Sequence, residues 1–560
     1  MNTLINEKPC LVQAKQGFSV SYKNKFLYSK YNPQSTIEKL ISELQIQEDS
    51  LIIINSPILF YGIDLLKNKL PNNSVIIAIE HDKNLYDFSI NCEESNFKNF
   101  QNTFCNFNYF NLNSQNEIIN LFLNKNFTNK IHSCKRVVKI NLSVILNEYE
   151  LFYQTVFNYF TNYISQFWKN RITLTKLGKL FSKNIFLNLP QIATSQKVKL
   201  NSINKPILVF GAGTSLDKTV KDLEKSKLSL KDFFIICVDS ALKPLLEYKI
   251  NPDIVVAVES QLANEKAFIG TTKSSYLLIS DFTSRPNINK YKNKSDNFIS
   301  FIFTEYCNAN FLDKIKNLSL PVLNFIPLGS VGLYAIQLAI KLRKDNYPIF
   351  FTGLDFAYTT DSTHCKNAPA SFNKLLNSSR INSLIKVDSA FKFGTSYFLL
   401  YNQKIISDKP LQNYAVQFIE NFGQIQNLYN LSETSIFDFI DNNQNIKQIH
   451  TTDIFELTKI YFSKQNNKID FIENISKNTT EKIKNYISNE ILELNEIKNY
   501  LMNGNIQIEN LKEKINEHDY LFLHFPDGYN GAKTDLSFLK RVRNEIDFFL
   551  KILNRSLNQF

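Results

Sequence analysis

The chain has 560 residues, 44% hydrophobic and 21% charged, which is the balance of a protein with real cores and a length worth about three or four domains. Its net charge of +12 comes without a dense basic block or an arginine-rich helix, so the surplus reads as dispersed lysine and excludes a nucleic-acid binder while still suiting an anionic small substrate. Seven cysteines, none in a Cys-x-x-Cys pair, exclude a disulfide framework and read as reduced thiols of a reducing compartment.

The amino terminus, MNTLINEKPC, has no apolar signal core. No run approaches about eighteen apolar residues. Leu51 to Ile63 comes nearest and is broken by Asn55, Ser56 and Pro57. No membrane insertion and a cytoplasmic location are expected. Phe (47), Tyr (26), Asn, Lys and Ile are used heavily, as A/T-rich codons would dictate, so a single Tyr or Lys beside a motif says little.

In chain order, SLIIIN (50 to 55) predicts a strand, Ser56-Pro57 a turn, and Leu59 to Leu70 a helix. SVIIAIE (74 to 80) predicts a second strand closed by a carboxylate. That order begins a Rossmann-like half, yet Gly62 is the only glycine there. Residues 1–140 are therefore read as a degenerate Rossmann-like domain with no cofactor of its own. Val144 to Asn188 takes a helical period through Leu151, Phe152, Val156, Tyr159 and Phe160. With the polar stretch ATSQKVKLNSINK (193 to 205), it makes residues 141–200 a helical connector and linker. From Lys205 the rhythm is β-α-β-α-β, and 201–433 reads as one doubly wound catalytic domain. Residues 434–560 read as a helical domain. Its stripes are Ile487, Ile491, Leu494, Ile497, Leu501 and Leu539, Val542, Ile546, Phe549, Leu553.

Three stretches of the central segment carry chemistry. In PILVFGAGTSLDK (206 to 218), a buried strand meets Gly211-Ala212-Gly213 and a helix opens at Thr214-Ser215. Glycines permit close backbone approach, and the free N–H groups of a helix start favour a phosphate. Leu216 stands where a third dinucleotide-fingerprint glycine would be, which argues against an NAD enzyme. In DFFIICVDSALKPLLEYKINPDIVVAVESQ (232 to 261), Asp239 ends one strand and Glu259 the next. Asp239 either holds a ribose hydroxyl or caps the following helix. In IPLGSVGLYAIQLAIKLRKDNYPIFFTGLDFAYTTDSTHC (326 to 365), Gly329-Ser330 opens a second anion-binding helix start, Asp355 closes a strand, and His364 lies in a polar loop beyond it. Doubly wound sheets bind ligands at that place.

Together GAGTSLD, VDSALKPLLEYKINPDIVVAVESQ, GSVGLYAIQLA and GLDFAYTTDSTH resemble the motility-associated factor (Maf) family of flagellin glycosyltransferases, whose central domain is related to 6-hydroxymethylpterin diphosphokinases (MptE-like). Two departures are Thr214 where the family has Pro, and Glu259-Ser260-Gln261 where it tends to Asp-Pro-Gln. The resemblance implies a multidomain α/β enzyme: a Rossmann-like amino-terminal domain, a sialyltransferase-like catalytic domain and a helical carboxyl-terminal domain. It would move a nonulosonic acid of the pseudaminic or legionaminic type from a CMP-sugar to Ser or Thr of flagellin. On that reading Gly211, Gly213, Thr214, Ser215, Asp239, Glu259, Gly329, Ser330 and Asp355 line the nucleotide site. Tyr358 donates to the departing phosphate and His364 accepts the acceptor's proton. No cofactor or metal is firmly implied; magnesium belongs to the alternative, an ATP-dependent diphosphokinase. A non-catalytic nucleotide-binding flagellar assembly protein is the third reading.

Overall fold

The run SLIIIN forms a strand buried at every position, β1 (Ser50–Asn55), as β-branched residues do when both sheet faces are covered. It is parallel to β2 (Val75–Glu80) and β4 (Arg136–Asn141), and β3 (Phe107–Asn111) lies outside β2, giving the order β3-β2-β1-β4. The structure is a computed structural model describing residues 8–560, apart from 72, 105, 227, 273, 287–297, 361, 382–393, 401–402, 442–444, 463–469 and 504–507. It divides into two compact units, Met1–Lys176 with Phe525–Asn530, and Leu177–His524 with Gly531–Phe560. The chain passes from one to the other within a 43-residue helix, α1 (Glu150–Ile192).

In the first unit the helix expected from Leu59 begins only at Ile63. Ser56, Ile58, Phe60 and Gly62 all take positive φ, coiling the chain so that Ile58, Leu59 and Phe60 are fully buried. Burial of such side chains contributes roughly 1.5–3 kcal/mol each, which offsets left-handed backbone costing about 1–2 kcal/mol per residue. This coil stands where a glycine turn would open a crevice. The strand-end carboxylate of Glu80 is taken up by Ser56 Oγ at 2.7 Å, Tyr153 OH at 3.2 Å and the Asp82 N–H at 3.2 Å.

The second unit is built on nine parallel strands among the described residues. They are β5 (Ile207–Phe210), β6 (Phe234–Val238), β7 (Ile254–Ala257), β8 (Leu277–Asp281), β9 (Ile299–Thr304), β10 (Leu323–Phe325), β11 (Ile349–Thr352), β12 (Leu428–Asn430) and β13 (Lys447–Gln448). Their order is β10-β9-β8-β7-β6-β5-β11-β12-β13. The chain builds outward from β5 in one direction and then returns to β5's other side with β11, so the topological switch lies between β5 and β11. Between strands run α2 (Leu216–Lys225), α3 (Asp239–Glu247) and α4 (Val331–Leu342).

Two stretches behave otherwise than their composition suggested. The polar stretch 193–205 contains a strand, Gln196–Val198, paired antiparallel with Ile472–Asn474; Val198 and Ile203 are buried, and their burial fixes the stretch. The segment beyond Thr434 is helical for most of its length but supplies β13 to the sheet. Its long helices, α5 (Lys477–Asn503) and α6 (Leu536–Leu557), pack on one another. Ile487, Leu494 and Ile497 of α5 and Val542, Ile546, Phe549 and Leu553 of α6 are buried, as their stripes required. Phe549 and Tyr520 meet Phe186 of α1 with ring centroids 5.9 and 4.9 Å apart, and Asp519 accepts from the Asn310 N–H at 2.6 Å. These helices thus share one core with the sheet inside the second unit.

Candidate functional site

The carboxyl ends of β5 and β11 meet backbone to backbone. Gly211 N–H donates to Thr352 O at 2.8 Å and Gly213 N–H to Gly353 O at 2.8 Å. A Cβ at Gly211 would collide with Gly353 O and Leu354, and one at Gly353 (φ +70°) with Gly211 O. A Cβ at Gly213 would stand 2.6 Å from Asp355 Oδ2 and 2.7 Å from Gly353 O. These glycines serve the fit of the two strand-end loops, the tight turn and close backbone approach that the sequence allowed beside a phosphate.

The start of α2 is likewise taken by the chain itself. Asp355, 1% exposed, accepts from Ser215 N–H at 2.9 Å, Ser215 Oγ at 2.5 Å and Thr214 Oγ1 at 3.2 Å. An anion is what a helix N-terminus favours, and here the anion is Asp355. Burial pushes its carboxyl above the usual range, while the bonds from Ser215 pull the other way. The second helix start is arranged differently. At α4 the capping Ser330 Oγ accepts from Gly332 N–H at 3.3 Å, and Ser330, Val331 and Gly332 line an open cleft.

Three clefts open at the carboxyl ends of the strands. The first, about 420 Å³, is lined by Gly211, Gly213, Ser330, Asp355, Tyr358 and His364, with Asp408 from a distant part of the chain. The second, about 710 Å³, shares Ser240, Ser330, Val331 and His364 with the first and adds Asp239, Glu259, Gly329 and Asp281. The third, about 730 Å³, holds Thr214 and Ser215 and shares only His364 with the other two among the described lining. All eleven residues singled out from the sequence therefore border one of the three, though Ser215 and Asp355 are turned toward one another.

His364 sits at the junction. The loop carrying it is pinned on α2's side by Cys365 N–H to Ala212 O at 3.0 Å and Lys366 N–H to Asp217 Oδ2 at 2.8 Å, and its Nδ1 lies 3.0 Å from Thr363 Oγ1. Tyr358 is held by a two-way backbone pair with Ile406. Burial, then Asp408 and Tyr397, raise its phenol above the ordinary range, so at neutral pH it is a proton donor. Asp239, the first residue of α3, accepts from the Ser240 N–H at 2.6 Å. Burial above all, with Glu259 adding, pushes its carboxyl up to about 6.

Several site residues escaped the sequence reading. Asp281 closes β8 as Asp239 and Glu259 close their strands, and that shared position is the signal that could have found it. It is buried, and its Oδ1 accepts from Thr283 N–H and Oγ1 at 2.9 and 2.6 Å; burial raises its carboxyl above the usual range while Thr283 and Thr304 pull the other way. Asn184 and Asn188 of α1 donate to Ser260 O and Thr283 O, and to Phe282 O and Ser284 O, all within 2.9–3.1 Å. They fix the loops after β7 and β8; two buried asparagines one helical turn apart on an apolar face were the visible sign. Asp408 caps the helix after it by accepting from Leu411 N–H at 3.1 Å, and nothing near it in sequence links it to the cleft.

A parallel doubly wound sheet with clefts at its switch point is an α/β architecture whose ligand crevice lies at that place. Residues 183–361 match the family described as 6-hydroxymethylpterin diphosphokinase MptE-like. The fold of the chain resembles the solved structure of the Maf glycosyltransferase from Magnetospirillum magneticum AMB-1, with a TM-score of 0.56 and 12% identity over 99% of this chain and 91% of that one. An uncharacterized protein of Treponema pallidum (strain Nichols) is 28% identical across 98% of this chain and 95% of its own length. The chain is thus Maf-like in fold, with an MptE-like domain at its centre. No helix among the described residues is long and apolar enough to cross a membrane.

Proposed function

We propose that the chain is a glycosyltransferase of the cytoplasm that moves a nonulosonic acid from a CMP-sugar to Ser or Thr hydroxyls of flagellin. The observation that carries this reading is the imidazole of His364 at the meeting of all three clefts, three residues beyond the MptE-like match at 183–361 and within a Maf-like fold. The α4 start at Ser330 would hold the CMP phosphate, with Gly211 and Gly213 forming the close-packed wall beside it, and Asp239 and Glu259 the nucleoside. Tyr358, whose phenol burial raises above its ordinary range, would donate to the departing phosphate. His364 would take the acceptor's proton as the general base. Thr214, Ser215 and Asp355 would act through the loop geometry they maintain.

Calorimetric titration with CMP, and with ATP with and without magnesium, tests this. CMP is expected to bind more tightly than ATP and with little response to magnesium. A second reading is favoured by Asp239, Glu259 and Asp281 lining one cleft, since converging carboxylates suit magnesium-ATP. Magnesium-dependent ATP binding with no CMP signal would move the assignment to a diphosphokinase.

A further inference from the structure

We infer that the third cleft is the acceptor's subsite, taking a polar polypeptide segment whose Ser or Thr hydroxyl reaches the donor at His364. The inference rests on the transferase reading. A transfer between two bound substrates needs two spaces that meet at the proton acceptor. The first and second clefts lie side by side with Ser240, Ser330 and Val331 as a common wall, adjoining spaces for a nucleotide and its sugar. The third joins them only at His364, where an acceptor oxygen and an anomeric carbon could come together.

The lining of the third cleft fits this occupant. Its ammonium groups, Lys218, Lys225 and Lys366, are matched by the carboxylates Asp217, Asp222 and Glu433. Two of the lysines are already paired, Lys218 with Glu433 and Lys225 with Asp222, so the cleft offers no surplus charge to draw a nucleotide. It contains no Phe, Tyr or Trp among its described lining, and so no ring on which a sugar face could stack. It is rich in hydroxyls, and the buried Oγ1 of Thr434 has no hydrogen-bond partner among the described residues. Groups that both donate and accept suit the alternating N–H and C=O of a peptide. In the step itself the acceptor oxygen bonds to the anomeric carbon. The bond from that carbon to the phosphate oxygen breaks with its electron pair leaving on CMP, and the hydroxyl proton passes to a neutral His364.

Thr452→Trp and Lys225→Trp, two exposed positions bordering the third cleft, test the assignment. Melting temperature, CMP affinity, CMP release from CMP-pseudaminic acid without acceptor, and sugar transfer to flagellin are read on each preparation. The expected result is a KM for flagellin raised about 10-fold or more in at least one variant, with CMP affinity and acceptor-free CMP release unchanged. An unchanged flagellin KM in both variants overturns the subsite. So does parallel loss of CMP affinity and transfer, which would put the donor in this cleft. A wild-type chain that releases CMP yet gives flagellin no sugar overturns the polypeptide acceptor. One that neither binds CMP nor releases it overturns the transferase reading itself.

Discussion

Replacing Asp355 by Ala should weaken the second unit before it touches any ligand. The carboxylate receives Ser215 N–H at 2.9 Å, Ser215 Oγ at 2.5 Å and Thr214 Oγ1 at 3.2 Å. A bond to a charged group contributes about 1.5–3 kcal/mol, and a buried donor left without an acceptor costs about 1–3 kcal/mol. Thr214 is half-buried and can turn to water, and Ser215 Oγ keeps Ser432 Oγ at 2.9 Å. The Ser215 N–H is the donor that would be stranded. Against this, burial already holds the carboxyl above its usual range, so its removal relieves part of the cost of an enclosed charge. The net loss comes to about 2–3 kcal/mol, a fall of roughly 3 °C in the melting of a unit this large. Asp355→Asn keeps one acceptor and should lose about half as much. Scanning calorimetry of the three proteins beside CMP titration decides the matter. An unchanged melting temperature with CMP binding abolished would show that Asp355 is a ligand contact, and the account given for the α2 start would be wrong.

His364→Ala should lower transfer about 100-fold or more, within the range of general-base contributions, with CMP affinity and melting temperature little changed; full transfer by the variant removes His364 from the chemistry. Gly211→Ala puts a methyl group onto Gly353 O and should cost about 1–3 kcal/mol by overpacking, so nucleotide affinity and stability should fall together; loss of affinity at full stability would restore the phosphate as the reason for the glycine. Glu80 is raised by burial from 4.5 to about 7, so the folded first unit prefers it protonated. Its stabilising contribution is complete below about pH 4.5 and is lost as pH rises through about 7, a difference on the order of 3 kcal/mol. Glu80→Gln should therefore gain on the wild type between pH 5 and 8 in urea unfolding, and parallel pH profiles for the two would refute the burial argument. Asn188→Leu leaves Phe282 O and Ser284 O without their shared donor and should destabilise the loop after β8, read as faster amide exchange there; wild-type protection would deny Asn188 that role.

Local chemistry determined much of this protein. The apolar runs at β1, β2, β5, β6 and β11 became strands because a short β-branched or aromatic run between turn residues has little else to do, and the stripes on α5 and α6 became buried faces because a 3.6-residue period leaves one side to cover. The motifs at 211–217, 239, 259, 329–330 and 353–364 were visible because each follows a strand's carboxyl end, a position that recurs in chain order. The pairing of those ends was not visible. Asp355 reaches Ser215 across 140 residues of chain, and only the return of β11 to β5's free side brings them together. Partners so distant are chosen by strand order, which no local pattern encodes. The same reason hid Asp408 and the partners of the two asparagines of α1, and made a seeming linker at 193–205 into a strand whose mate lies beyond residue 470. It also changed what the glycines mean: the sequence gives a flexible turn, but only the tertiary fit shows that the space beside it is filled by another backbone.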